Sequence, residues 1–288
     1  MANYFALGLT LATLLTGIFW LLARTVGAQS TRTPTAAGSS PALATSRRFP
    51  AWVAWIGDFF PMILLVFVVR SFLYEAYQIP SGSMMPTLLV GDFIVVKKFS
   101  YGLREPIFQK QLLATGAPQR GDVAVFKYPE DPSIYFIKRI VGLPGDRVIY
   151  RGKRLFIQPA HATAAVDQPL TVDYQTLSSD LSHATGEGLT TLVERLGPVN
   201  HQILISDQPT DLSFYYQQPG EPLSEWVVPP GHYFTLGDNR DNSRDSRFWG
   251  FVSQNHLVGQ AVAIWMSFEK QPGGWPTGIR WQRLGAIH

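Results

Sequence analysis

The chain has 288 residues and a formal charge of +3, too small and too dispersed to argue for a nucleic-acid partner. It contains no cysteine, which excludes thiol catalysis, cysteine-ligated zinc and a disulfide scaffold. Mean hydropathy is near neutral, yet the apolar residues concentrate at the N-terminal end.

Residues 4–23 carry no charge and match the about 20 residues that span a bilayer. An uncleaved anchor is expected. A cleaved signal peptide is the rival, since Val26-Gly27-Ala28 offers small residues, but no Lys or Arg precedes Arg24. Residues 24–58 read as a flexible basic loop with Arg24, Arg32, Arg47 and Arg48, placed in the cytoplasm by the positive-inside rule. A second span is expected over 59–77. Starting it at 51 would bury Asp58, which costs about 2.5–3.5 kcal/mol on insertion scales. In this reading Trp52 and Trp55 mark the inner interface and Arg70 snorkels outward. A helix lying in the interface is the alternative. Everything from Gln78 onward is then extracytoplasmic.

After Ser83 the pattern becomes strand-like. Short β-branched runs begin at Asp92, Asp122, Tyr135, Arg147 and Leu257, bounded by Gly, Pro and Asp. The expected fold is membrane-anchored and mainly β. Two N-terminal transmembrane helices precede a β-rich catalytic domain (78–150 and 231–269) that carries an inserted β-rich subdomain (151–230). A weak helical stretch is expected near 187–196, and 270–288 reads as an irregular tail.

Ser81 and Ser83 sit on a Pro- and Gly-punctuated turn just past the second span. A serine hydroxyl needs a base to become a nucleophile. The six histidines fall mostly in polar loops, and none is expected beside a partner carboxylate in an apolar strand. A lysine serves only when neutral, and burial lowers its pKa. Lys138, within Ile134-Tyr135-Phe136-Ile137-Lys138-Arg139-Ile140-Val141, would share a strand face with Ile134, Phe136 and Ile140 while Arg139 points the other way. A surface lysine at a strand end is the plainer reading of this segment alone. The polar run 237–250 has turn composition. A calcium loop fails there, because Ser246 and Val252 replace the required Gly and Glu and three arginines would repel the ion. A turn locked by Asp245 and Arg247 fits better.

Three motifs lie in order behind two spans: Ser81-Gly82-Ser83-Met84-x-Pro86; Lys138-Arg139-x-x-Gly142-x-Pro144-Gly145-Asp146; and Gly237-Asp238-Asn239-Arg240-Asp241-Asn242-Ser243-x-Asp245-Ser246-Arg247. Together they resemble the bacterial type I signal peptidases (leader peptidases) in their Gram-negative arrangement. The resemblance implies a serine–lysine protease that removes signal peptides. Ser83 would be the nucleophile and Lys138 the general base. The Ser81 hydroxyl and the Ser83 N–H would form the oxyanion hole, Ser243 would orient the Lys138 amine, and Asp245 with Arg247 would hold that loop. Ile79, Pro80, Met84, Leu88, Phe136 and Ile137 would line pockets for small −1 and −3 substrate residues. No cofactor or metal is implied, and no nucleic acid. The implied partners are preprotein signal peptides, membrane phospholipids and the export translocon. The implied location is the bacterial inner membrane, multi-pass, with the catalytic domain in the periplasm. Two departures stand out: no cysteine for the disulfide that some members carry in the insertion, and Tyr77 where relatives often have Phe.

Two other functions compete. A membrane-anchored binding protein would not need the Ser83 hydroxyl. A serine–lysine self-cleaving regulator would lack the spans and carry a DNA-recognition helix.

Overall fold

The computed structural model describes residues 2–29, 50–160, 170–176, 188–269 and 277–287. His161, His183, Trp275, His288 and most of the basic loop lie outside the described residues. The chain divides by contact into a helical unit, Met1–Leu73 with Arg104–Lys110, and a β unit, Tyr74–Leu103 with Gln111–His288.

In the helical unit, Ala2–Gln29 packs against Ala51–Asp58 and Phe60–Val68, which run on into a π-helical turn, Val69–Leu73. The approach is closest at Gly57, where an added Cβ would lie 2.9 Å from the Trp20 backbone. The hydroxyls of Thr13 and Thr16 donate to carbonyls four residues back, so no polar group is stranded on the apolar faces they occupy. Leu11, Leu14, Leu15, Met62 and Leu65 are exposed. That outward display suits lipid rather than water.

The second apolar helix covers Ala51–Leu73, not 59–77. Asp58 lies at the seam between two helical segments, with its side chain exposed. Tyr74–Gln78 is a strand instead, paired antiparallel with Asp92–Lys97. Glu75 there forms an ion pair with Lys98 at 3.1 Å. The loop is also shorter than 24–58, since helix continues to Gln29 and resumes at Ala51.

The β unit is built on one antiparallel sheet. Its order is Tyr74–Gln78, Asp92–Lys97, Leu257–Glu269, Val123–Lys127, Tyr135–Gly142, His232–Leu236 and Val252–Ser253. One face packs a core of Ile79, Met84, Leu88, Ile94, Val96, Val123, Val125 and Ile264. A second core joins Val141, Phe234 and Leu236 from the sheet to Val148, Tyr150, Leu155, Leu196 and Trp226. Burying such side chains contributes about 1.5–3 kcal/mol each, so the insertion is held by packing without a disulfide.

That second core moves the domain boundary. Arg147–Arg151 pairs with Arg154–Gln158 and Glu225–Val227, so it belongs with the insertion and not with the catalytic sheet. The expected helix near 187–196 is a strand, Leu189–Leu196, in a hairpin with Val199–Ser206. Pairing along the whole hairpin overrides the helical leaning of Leu, Glu and Arg. The described part of the tail is ordered as well. Gly278–Ile279 and Gly285–Ala286 pair with Leu257–Glu269. Arg280 and Arg283 close on the fully buried Asp92 at 3.4 and 2.7 Å. A buried carboxylate needs such cations, and they tie the tail down.

Candidate active site

The turn bearing Ser83 is fixed from both sides. Ile79 exchanges backbone hydrogen bonds with Asp92 and Gly91, which brings the chain off the sheet edge. On the other side Asn239 donates its backbone N–H to the Ser83 carbonyl at 3.1 Å and its side-chain amide to the Gly82 carbonyl at 3.1 Å. The Ser81 and Ser83 hydroxyl oxygens stand 3.5 Å apart.

Lys138 lies on Tyr135–Gly142 opposite Ala124 and is 4% exposed. Its Nζ is 2.6 Å from Ser83 Oγ and 5.6 Å from the Phe136 ring centre. Burial lowers its pKa to about 8; Asp245 and Asp238 partly oppose the shift, and Arg247 adds to it. Arg139 points to the opposite face, as strand alternation requires, and grips Asp238 at 2.9 and 2.8 Å. Asp238 also accepts from Thr87 at 2.5 Å.

The 237–247 segment closes the site. Arg247 reaches Asp245 through Nε and Nη2, both at 2.8 Å, and both residues are buried. Burial alone would raise the Asp245 carboxyl, but the adjacent guanidinium outweighs it and holds the acid below its usual range. Asp245 also accepts the Gly237 N–H at 3.1 Å. A Cβ added at Gly237 would fall 2.1 Å from Ser243 Oγ and 2.5 Å from the Ser83 carbonyl oxygen. Only glycine leaves room for these segments to meet.

This is a hydroxyl beside a buried, low-pKa amine, with a second hydroxyl at hand. It can support nucleophilic attack without histidine. No cluster of three His, Asp or Glu side chains suited to a metal ion occurs among the described residues.

A family model described as signal peptidase, peptidase S26, matches residues 52–266. The chain belongs to the signal peptidase family, peptidase S26. The signal peptidase I of Buchnera aphidicola subsp. Acyrthosiphon pisum is 40% identical over 320 residues, covering all of both chains. That of Buchnera aphidicola subsp. Schizaphis graminum is 46% identical over 253 residues, 81% of each chain. That of Haemophilus influenzae is 41% identical over 261 residues, 80% of this chain and 74% of the relative.

Against this family background three sequence expectations are corrected. Ser243 Oγ is buried and hydrogen-bonds nothing among the described residues, so the expected bond to Lys138 is not made. Ile79, Met84 and Leu88 are core residues whose side chains pack against the sheet. They form the floor beneath the Ser83 turn rather than an open wall, whereas Pro80 is exposed and Phe136 and Ile137 are half-buried. No histidine was expected beside a carboxylate in an apolar strand, yet His201 is buried on Val199–Ser206 with its Nε2 3.2 Å from Glu194. The signal was present, because His201 opens the apolar run Ile203-Leu204-Ile205 on a strand and shares a face with the buried Ile203. Asn239, which stands in the third motif with no expected role, clamps the nucleophile's turn.

Proposed function

We propose that this chain is a membrane-anchored serine endopeptidase that removes signal peptides from exported preproteins through a Ser83–Lys138 dyad. The observation that carries this reading is Lys138 Nζ at 2.6 Å from Ser83 Oγ, on a lysine whose burial brings its pKa to about 8. The neutral amine takes the Ser83 proton as Oγ bonds to the scissile carbonyl carbon. The Ser81 hydroxyl and the Ser83 N–H donate to the oxyanion, which needs pre-placed donors. The Lys138 ammonium then returns its proton to the leaving nitrogen, the C–N bond breaks, and the signal peptide remains as an ester on Ser83. Lys138 next deprotonates a water, whose attack on the ester releases the peptide carboxylate and restores Ser83.

The substrate would enter as an extended strand. Along Tyr135–Gly142, His232–Leu236 pairs with Arg139, Ile140 and Gly142 and not with residues 135–138, which would leave that stretch of edge for a substrate strand. Pro80, Phe136 and Ile137 would face small −1 and −3 residues, and Ile79, Met84 and Leu88 would limit the depth of those pockets. Asp245 and Arg247 would hold the 237–247 loop.

In the cell the domain architecture is two spans, a catalytic sheet and an insertion, in the inner membrane of a bacterium. The basic loop after the first span would lie in the cytoplasm and the β unit in the periplasm. Trp265 and Trp281, both exposed, would touch phospholipid. The export translocon is a further partner in this reading. Purified in detergent, the protein should cleave a preprotein after Ala-x-Ala. Retained cleavage in both Ser83→Ala and Lys138→Ala would sink the dyad. Protease added from the periplasmic side should digest the chain beyond residue 78 and spare the basic loop; the reverse pattern would overturn the topology.

A further inference from the structure

The insertion is not explained by the dyad chemistry, yet it delivers buried charge to the catalytic loop. On its hairpin, Glu194 and His201 are cross-strand partners. Glu194 accepts from Arg240 at 2.7 and 2.5 Å and from the Tyr174 hydroxyl at 2.8 Å. His201 Nε2 lies 3.2 Å from Glu194 Oε1 and 3.7 Å from Asp238 Oδ1. Asp238 in turn holds Arg139, the residue after Lys138. A buried line therefore runs Arg240–Glu194–His201–Asp238–Arg139, from the loop that clamps Ser83 to the strand that carries Lys138.

The backbone repeats the connection. Leu204 donates to the Asp238 carbonyl and accepts from the Arg240 N–H, both at 2.9 Å. Asn239, between them, donates to the Ser83 carbonyl at 3.1 Å. We propose that His201 is a positioning residue for the reaction, and that the hairpin Leu189–Ser206 is the template that seats the 237–243 loop against Ser83 and Lys138. This deepens the peptidase reading and rests on it.

The reason lies in what each group needs. Glu194 and Asp238 already have a guanidinium each, so His201 is not required to neutralise either one. A buried imidazole is less stabilising than a leucine of similar size unless it fixes geometry. Placed between two acids at 3.2 and 3.7 Å, in hydrogen-bond geometry with neither, it sets the spacing between the hairpin and the 237–243 loop. Without the imidazole between them Glu194 and Asp238 are free to close up, and a shift of Asp238 would carry its neighbour Asn239 away from the Ser83 carbonyl.

The test compares His201→Leu, His201→Gln and, as a control, Gln202→Leu in the full-length protein with a preprotein substrate. Gln202 is exposed on the same strand. The expected result is a kcat at least tenfold lower in His201→Leu with KM within threefold. His201→Gln, which keeps a donor, should recover most of the loss, and Gln202→Leu should match the wild type. A folded His201→Leu variant with wild-type kcat, or a His201→Gln no better than His201→Leu, overturns the proposal. If His201→Leu does not fold, Glu194→Gln takes its place, with a kcat loss at constant KM supporting the proposal and an unchanged kcat overturning it. A wild-type protein that cleaves no preprotein overturns the peptidase reading, and the proposal with it.

Discussion

Lys138 Nζ and Ser83 Oγ lie 2.6 Å apart, joining a strand in the middle of the sheet to a turn that leaves its edge. The distance matters because of where the lysine sits. Its surroundings hold the amine pKa at about 8, so at pH 7 roughly a tenth of the molecules carry the neutral base. Activity should rise with pH through an acid limb near 8. A kcat/KM profile from pH 5 to 9 measures this, and a flat profile contradicts a lysine base.

The same burial burdens the fold. The lysine's folded pKa, about 8, lies below its ordinary 10.5. Between these values the unfolded chain binds more protons, so stability rises with pH across that window. Below it, the folded state carries a penalty of about 3 kcal/mol. Lys138→Met should therefore be inactive yet more stable than the wild type at pH 7 by ~1–3 kcal/mol, measured by urea denaturation. Loss of stability in this variant would contradict the assignment of Lys138 as a strained, functional burial.

Gly237→Ala should abolish activity while most of the fold survives. The new methyl would collide with Ser243 and with the carbonyl of Ser83, so the loop must retreat from the nucleophile. A kcat reduced at least a hundredfold, with a circular dichroism spectrum like that of the wild type, is expected. Near-normal kcat would show that the loop need not touch the Ser83 turn.

Asp245→Ala should lose about 3–5 kcal/mol, because it leaves the Arg247 guanidinium buried and uncompensated. The double variant Asp245→Ala/Arg247→Met should be more stable than Asp245→Ala alone. Equal or lower stability of the double variant, by denaturant midpoint, would contradict the pairing as the source of the loss.

Sequence order made the two apolar N-terminal helices, the β-rich class and the Ser83–Lys138 pairing legible, since each depends on local pattern or motif. What was hidden depended on long-range contact. The end of the second helix is set by Tyr74–Gln78 pairing with Asp92–Lys97, which no hydropathy window registers. The tail looked irregular because its order comes from Arg280 and Arg283 reaching Asp92, nearly two hundred residues earlier. The acids beside His201 were hidden because Glu194 meets it only across the hairpin and Asp238 only when the insertion docks. The bond expected from Ser243 to Lys138 is not made, and the buried hydroxyl is unpartnered among the described residues.

The central claim is that Ser83 carries the acyl group and Lys138 makes it reactive. Rapid quenching of the wild-type protein with a peptide ester ending in Ala-x-Ala, followed by peptide mass spectrometry, tests it most directly. The account predicts the acyl mass on the peptide containing Ser83, absent in Ser83→Ala and accumulating at least a hundredfold more slowly in Lys138→Ala. An adduct on another residue, or acylation of Ser83 at the wild-type rate without Lys138, would contradict it.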